Sequence, residues 1–116
     1  MLALKGAQVI VIIANHPSGA EVNPKIMSPA RAAENHVYVL HVNRSGSEGP
    51  ITYIGNSVIL GPDGSLLASA SNNETILRAE IHPQQGGLGR VDVSASGYTL
   101  NLLEDRRPDL YSVLLE

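Results

Sequence analysis

The sequence predicts an α/β domain, built on a mixed sheet with few helices. Three observations carry that expectation. Gln8 to Ala14 is an unbroken apolar run rich in β-branched residues, the pattern of a strand covered on both faces. Met1 to Lys5, stopped by Gly6, reads as the last turn of a helix that feeds this strand. A second helix, opened by Ser28-Pro29, stands between that strand and the next.

The elements follow in order. Residues 15 to 27 hold two Pro, one Gly and two Asn, and read as a loop. Ser28 then fits an N-cap and Pro29 the first helical position, with the helix running to about His36. Val37 to Asn43 is a second strand, and Arg44 to Pro50 a Gly/Ser-rich loop. Tyr53 to Leu60 reads as a third strand. The turn signal Gly61-Pro62-Asp63-Gly64 returns the chain as a hairpin through Ser65 to Ser69. Glu74 to Ile81 reads as a further strand, Gln84 to Gly89 as a mobile glycine-rich loop. Arg90 to Ser94 and Tyr98 to Leu103 read as short strands, and the tail after Asp105 ends on the apolar Val113-Leu114-Leu115.

Composition narrows the function classes. The chain has 116 residues, enough for one small domain with a modest core. Aromatics are 3%, with no Phe or Trp, so the core rests on aliphatic residues and base-stacking platforms are lacking. The net charge of −3 is spread thinly, with no basic stripe for nucleic acid or an anionic membrane. No stretch has the length of a membrane span, and the first residues lack the basic lead of a signal peptide. The expectation is a soluble, cytoplasmic protein. With no cysteine, the chain has no disulfide, no thiolate and no Cys-ligated zinc.

One short helix cannot cover both faces of a sheet of about five strands. Each Val or Ile side chain left uncovered forgoes roughly 1.5–3 kcal/mol. The residues alone thus predict a further covering layer, from an N-terminal half not in the chain or from another subunit.

An ordered series of landmarks bears on function: Ala14-Asn15-His16-Pro17 after the first strand, Arg31-Ala32-Ala33-Glu34-Asn35, the strand ending in Asn43, Gly55-Asn56-Ser57, Gly61-Pro62-Asp63-Gly64, Ala79-Glu80-Ile81, and Asp105 to Tyr111. In that order and spacing they resemble the C-terminal half of a nitrilase-superfamily carbon–nitrogen hydrolase of the amidase type. The resemblance implies part of a four-layer αββα sandwich, often dimeric, acting on a small-molecule amide. It implies a Glu-Lys-Cys triad in which a thiolate attacks the carbonyl or nitrile carbon, Glu serves as base and Lys stabilises the oxyanion. None of the three has a position here. Lys5 belongs to the helix end that follows the nucleophile. Residues 1 to 116 are therefore expected to be the C-terminal portion of one hydrolase domain, inactive alone. A free-standing interaction module, or one half of a split enzyme, is the alternative.

The same resemblance places Asn15 and His16 in the wall of the substrate pocket, and Asn56 facing it. Read without the family, Asn15 is a turn residue bonding its own backbone, and Asn56 a strand-start hydrogen bonder. Arg31 and Glu34 read as a pair across one helical turn, and Asn35 as a helix-end cap. His16, His36, His41 and His82 show no ligand-like spacing with a carboxylate, so no metal and no cofactor is expected. Ser57 lacks the strand-to-helix elbow of a serine nucleophile. Gly86 to Gly89 opens no helix and is no phosphate cradle. The Asp105-Arg106-Arg107 segment reads as a structural or interface tail.

Overall fold

The computed structural model describes residues 1–87, 89–93 and 97–111. The apolar runs enter a four-stranded sheet, the first as an edge strand and the second at its centre. β1 (Val9–Ala14) pairs parallel with β2 (Tyr38–Asn43), in register from Val9 opposite Tyr38 to Ala14 opposite Asn43. β2 also pairs antiparallel with β5 (Val58–Leu60), which pairs antiparallel with β6 (Leu66–Ser69). The order is β1-β2-β5-β6, a mixed sheet. The predicted Gly61–Gly64 turn joins β5 to β6, closed by the Gly64 N–H donating to Gly61 O.

The strand period sorts the side chains between two faces. Ile10 and Ile12, Val39 and His41, and Val58 and Leu60 share one face through the registers of β1, β2 and β5. Helix α1 (Ser28–Asn35) lies against that face. Ala32, Val37, Val39 and Leu60 close the core there, together with Ala3 from a 3-10 turn at Ala3–Lys5. Gly6 ends that turn with φ +86°, as the glycine stop predicts. The opposite face is open: Ile13 is 85% exposed, Val11 56% and Val42 49%. Among the described residues the helix covers one face, while the other is open at Val11, Ile13 and Val42 and closed at Tyr38, which is buried beside Gln85.

Several elements differ from expectation. Ser28 does not cap α1. The chain enters the helix through a π-helical turn at Asn23–Met27, within the span read as loop, and Ser28 is the helix's first residue. It is buried, and its hydroxyl turns to His41 instead. His36 closes the helix in the left-handed conformation, φ +51°, and Asn35 Nδ2 donates to Arg31 O at 3.0 Å as an end cap.

The Gly/Ser-rich loop is a hairpin. β3 (Ser45–Glu48) pairs with β4 (Ile51–Ile54). The single strand read over Tyr53 to Leu60 is broken at Gly55 and Asn56, whose φ values are +60° and +54°. Two successive left-handed residues turn the chain out of the hairpin and into β5. A Cβ on Gly55 would stand 2.7 Å from Ser71 O and 2.8 Å from Asn72 Cα, both main-chain atoms. Gly55→Ala is therefore expected to cost roughly 1–3 kcal/mol, through strain and the displaced Ser71–Asn72 segment. Thermal unfolding of the variant checks this.

Residues 74–81 form no regular element and join no ladder among the described residues. Gln84 to Gly87, read as mobile, are tied down: Gly87 N–H donates to His36 O at 2.7 Å and Tyr38 Oη to Gln85 Oε1 at 3.1 Å. β7 (Arg90–Val93) and β8 (Tyr98–Asn101) form a separate two-stranded hairpin, close to the bounds read from sequence. The Asp105 carboxylate accepts from Asn101 N–H at 2.8 Å, and Arg107 pairs with Asp109 on an exposed turn. Val113-Leu114-Leu115 lie outside the described residues.

Candidate functional site

Because β1 and β2 run parallel, Ala14 and Asn43 mark one end of the sheet. In α/β sheets the space beyond the carboxyl ends of strands is where ligands sit. The residue that organises this end is Asn43, which is buried. Its Oδ1 accepts from His16 N–H at 2.7 Å, and its Nδ2 donates to Gly55 O at 2.8 Å. Its own N–H donates to Ser57 Oγ at 2.9 Å. One side-chain amide thus joins the segment after β1 to the Gly55-Asn56 corner before β5.

The hairpin is laced onto the same segment. Ile54 N–H donates to His16 O and Ser18 N–H to Thr52 O, with a β-bridge between Pro17 and Tyr53. The guanidinium of Arg44 lies 4.4 Å from the centre of the Tyr53 ring and pairs with Glu48. Beside this framework is a polar cleft of about 310 Å³, with Asn43, Arg44, Ser57, Ser71, Asn73 and Glu74 among its lining residues. It offers a cation, a carboxylate, amides and hydroxyls, all suited to holding a polar molecule. It has no thiol, since the chain has no cysteine, and neither Lys5 nor Lys25 lines it.

The three sequence-predicted site residues do not converge on that cleft. Asn15 is exposed at the end of β1. His16 is half-buried, and its ring contacts that of His41, with centroids 5.2 Å apart and planes tilted by 48°. Asn56 lines a different cleft, also about 310 Å³ and mostly apolar, beside Pro24, Lys25, Pro29 and Leu66 on the α1 side of the sheet. Asn43 nevertheless ties His16 and Asn56 to one frame, since it holds the backbone on both sides. It escaped the sequence reading as a site residue, although an Asn that ends an apolar strand just before an Arg was the available signal.

Other candidates resolve structurally. Arg31 and Glu34 form an exposed ion pair. Ser57 Oγ is engaged with the Asn43 backbone, donating to its carbonyl at 3.3 Å. Ser28 Oγ and His41 Nδ1 lie 2.7 Å apart, like a nucleophile and its base, but both residues are buried and no substrate could reach the hydroxyl. Burial drives the His41 pKa down, and the nearby His16 adds to the shift. Asp63 is held below the usual carboxylate range by its hydrogen bonds with Ser65, inside the hairpin turn. Among the described residues no group of three or more His, Asp or Glu is placed to hold a metal ion, and no helix is long and apolar enough to cross a membrane.

A mixed sheet covered on one face by a Pro-started helix, with its polar frame at the parallel strand ends, is the architecture of part of a nitrilase-type hydrolase. The model of the carbon-nitrogen hydrolase family matches residues 1–90, and the chain belongs to that family. It is 35% identical over 107 residues to a 2-oxoglutaramate amidase of Bacillus subtilis, covering 92% of this chain and 39% of that protein. It is 41% identical over 112 residues to a nitrilase of Pyrococcus abyssi, covering 95% of this chain and 39% of that protein. Among solved structures, a variant of the amidase from Nesterenkonia sp. AN1 superposes with a TM-score of 0.75 at 27% identity, over 96% of this chain and 36% of that one. The chain thus spans about two-fifths of the length of these relatives.

Proposed function

We propose that these residues are the C-terminal part of an amidase-like enzyme that hydrolyses a non-peptide C–N bond in a linear amide or N-carbamoyl compound. The cysteine, glutamate and lysine of the triad come from outside the chain. The observation that carries this reading is a family match over residues 1–90 in a chain with no cysteine, two-fifths as long as its relatives. The Nesterenkonia structure is described as carrying the acetamide moiety of fluoroacetamide on its active-site cysteine. Other relatives are named N-carbamoylputrescine amidase, one of them from rice, 30% identical over 130 aligned positions.

In the reaction so assigned, the thiolate adds to the carbonyl carbon and the amine or ammonia leaves with a proton delivered by the glutamate. Water then hydrolyses the thioester to a carboxylic acid and restores the thiol. This chain contributes the frame at the ends of β1 and β2, where the Asn43-bridged segments and the polar cleft form one wall of the substrate space.

The test is an assay of the 116-residue chain on a panel of linear and N-carbamoyl amides, alone and co-produced with a segment supplying the three triad residues. No turnover alone and turnover on complementation is the expected result. Robust hydrolysis by the chain alone would refute the reading. The open sheet face also favours a second reading, a non-catalytic module that assembles through this face. Assembly with a complementing segment but no turnover would favour that module.

A further inference from the structure

His41 has surroundings that the hydrolase reading does not use. It is 2% exposed, on the helix-covered face of β2. Its Nδ1 shares a 2.7 Å hydrogen bond with Ser28 Oγ at the start of α1. Its Nε2 is buried with no hydrogen-bond partner among the described residues. Its ring meets that of His16, the residue whose N–H and C=O are bonded to Asn43 and Ile54. One imidazole therefore touches both the helix and the segment that leaves β1.

We propose that His41 is a positioning residue, clamped by Ser28 and supporting the His16 ring, so that a proton added to His41 loosens the chain beyond β1. Among the described residues the groups around it set no opposite charge against the ring, and Thr75 and Leu77 of the 74–81 segment, which line one cleft with it, are uncharged. Ile12 of β1 and Val58 of β5 flank it in the sheet. From α1 the contact is the neutral Ser28, while Arg31 and Glu34 pair with each other on the exposed side. Glu21 and Lys25, in the segment before α1, bear on each other, and Lys25 is exposed. From the loop beyond β1 the neighbour is His16, a second imidazole. Among the described residues none of these elements sets a carboxylate against the ring.

With Nδ1 taken by Ser28, a proton gained by His41 creates a buried cation beside another histidine, which desolvation and like charge both oppose. The folded-state pKa is depressed, in keeping with the burial of the ring. Stability from this group is then fully present above the unfolded value of about 6.5 and is lost as pH falls through the folded value.

The experiment follows the imidazole 15N shifts of His41 and His16, and hydrogen exchange of the His16 amide, in the full chain from pH 8 to pH 4.5. The expected result is His41 in one fixed neutral tautomer, protonating below about 6.5. His16 amide exchange should rise about tenfold above its intrinsic pH trend through the same titration. His16→Asn should raise the His41 midpoint, and Ser28→Ala should mix its tautomers. His41→Gln should remove the pH dependence of the His16 exchange. Independent titration of the two rings, unchanged His41 behaviour in His16→Asn, or imidazoles that titrate as in an unfolded peptide would each overturn the proposal. The readout is titration and exchange, so it stands or falls separately from hydrolase activity.

Discussion

Asn43→Ala is expected to destabilise the chain by about 4 kcal/mol, because it strands two main-chain groups at once, a half-buried N–H and a buried C=O. The His16 N–H loses its acceptor at 2.7 Å and the Gly55 C=O its donor at 2.8 Å. Each unsatisfied buried group costs about 1–3 kcal/mol, more than the net worth of the hydrogen bond that satisfied it. At about 4–8 °C per kcal/mol for a domain near this size, the midpoint of thermal unfolding should fall by at least about 15 °C. Asn43→Asp separates the two contributions. A carboxylate still accepts from His16 N–H but cannot donate to Gly55 O, and it brings a charge against that carbonyl. Destabilisation by Asp equal to or greater than that by Ala would show that the Gly55 contact dominates. A variant as stable as the wild type would mean that the two segments are held by the hairpin ladder alone.

The same residue shows where sequence reading reaches and where it stops. The apolar runs of β1 and β2 were legible because continuous Val/Ile stretches leave few alternatives to a covered strand. The Gly61–Gly64 turn and the helix after Ser28-Pro29 were legible because proline and glycine act on backbone angles directly. The alternation along β2 separates Tyr38, Leu40 and Val42 from Val39, His41 and Asn43, but it does not say which set the helix covers. The structure buries the set holding a histidine and an asparagine. That arrangement depends on partners remote in sequence: Ser28 for one, His16 and Gly55 for the other.

The β3–β4 hairpin was illegible for a related reason. Ser45, Gly46 and Ser47 have weak strand preference, and the pairing is supported from outside by Pro17 and Ser18 along the other edge of β4. The reading of 74–81 as a strand failed in the opposite sense. Its imperfect alternation was present, but no ladder receives it among the described residues. Of the candidate residues, the position of Asn15 and His16 just past the end of β1 was legible. The separation of Asn56 from His16 was not, because it follows from two left-handed residues and the direction in which they turn the chain.

Ile13→Lys should leave the folding stability of the chain within about 0.5 kcal/mol, since the side chain is 85% exposed, and should nonetheless abolish assembly. Val11, Ile13 and Val42 form the bare face of β1 and β2. If the rest of a hydrolase domain covers them, each contributes roughly 1.5–3 kcal/mol on burial. A lysine at position 13 forfeits its share and sets an ammonium among the apolar Val11 and Val42, which costs further. Sedimentation across a range of concentrations should show the wild-type chain associating, because an apolar face of this kind rarely stays free in water. The Ile13→Lys chain should be monomeric, and it should fail to form the complex that restores hydrolysis to a complementing triad segment. Lysine at Leu110, also exposed at 63% but outside the sheet, controls for added charge and should leave assembly intact. A wild-type chain that stays monomeric and folded at high concentration, and accepts Ile13→Lys with no loss of complementation, would remove the bare face from the account and with it the reason for a second layer.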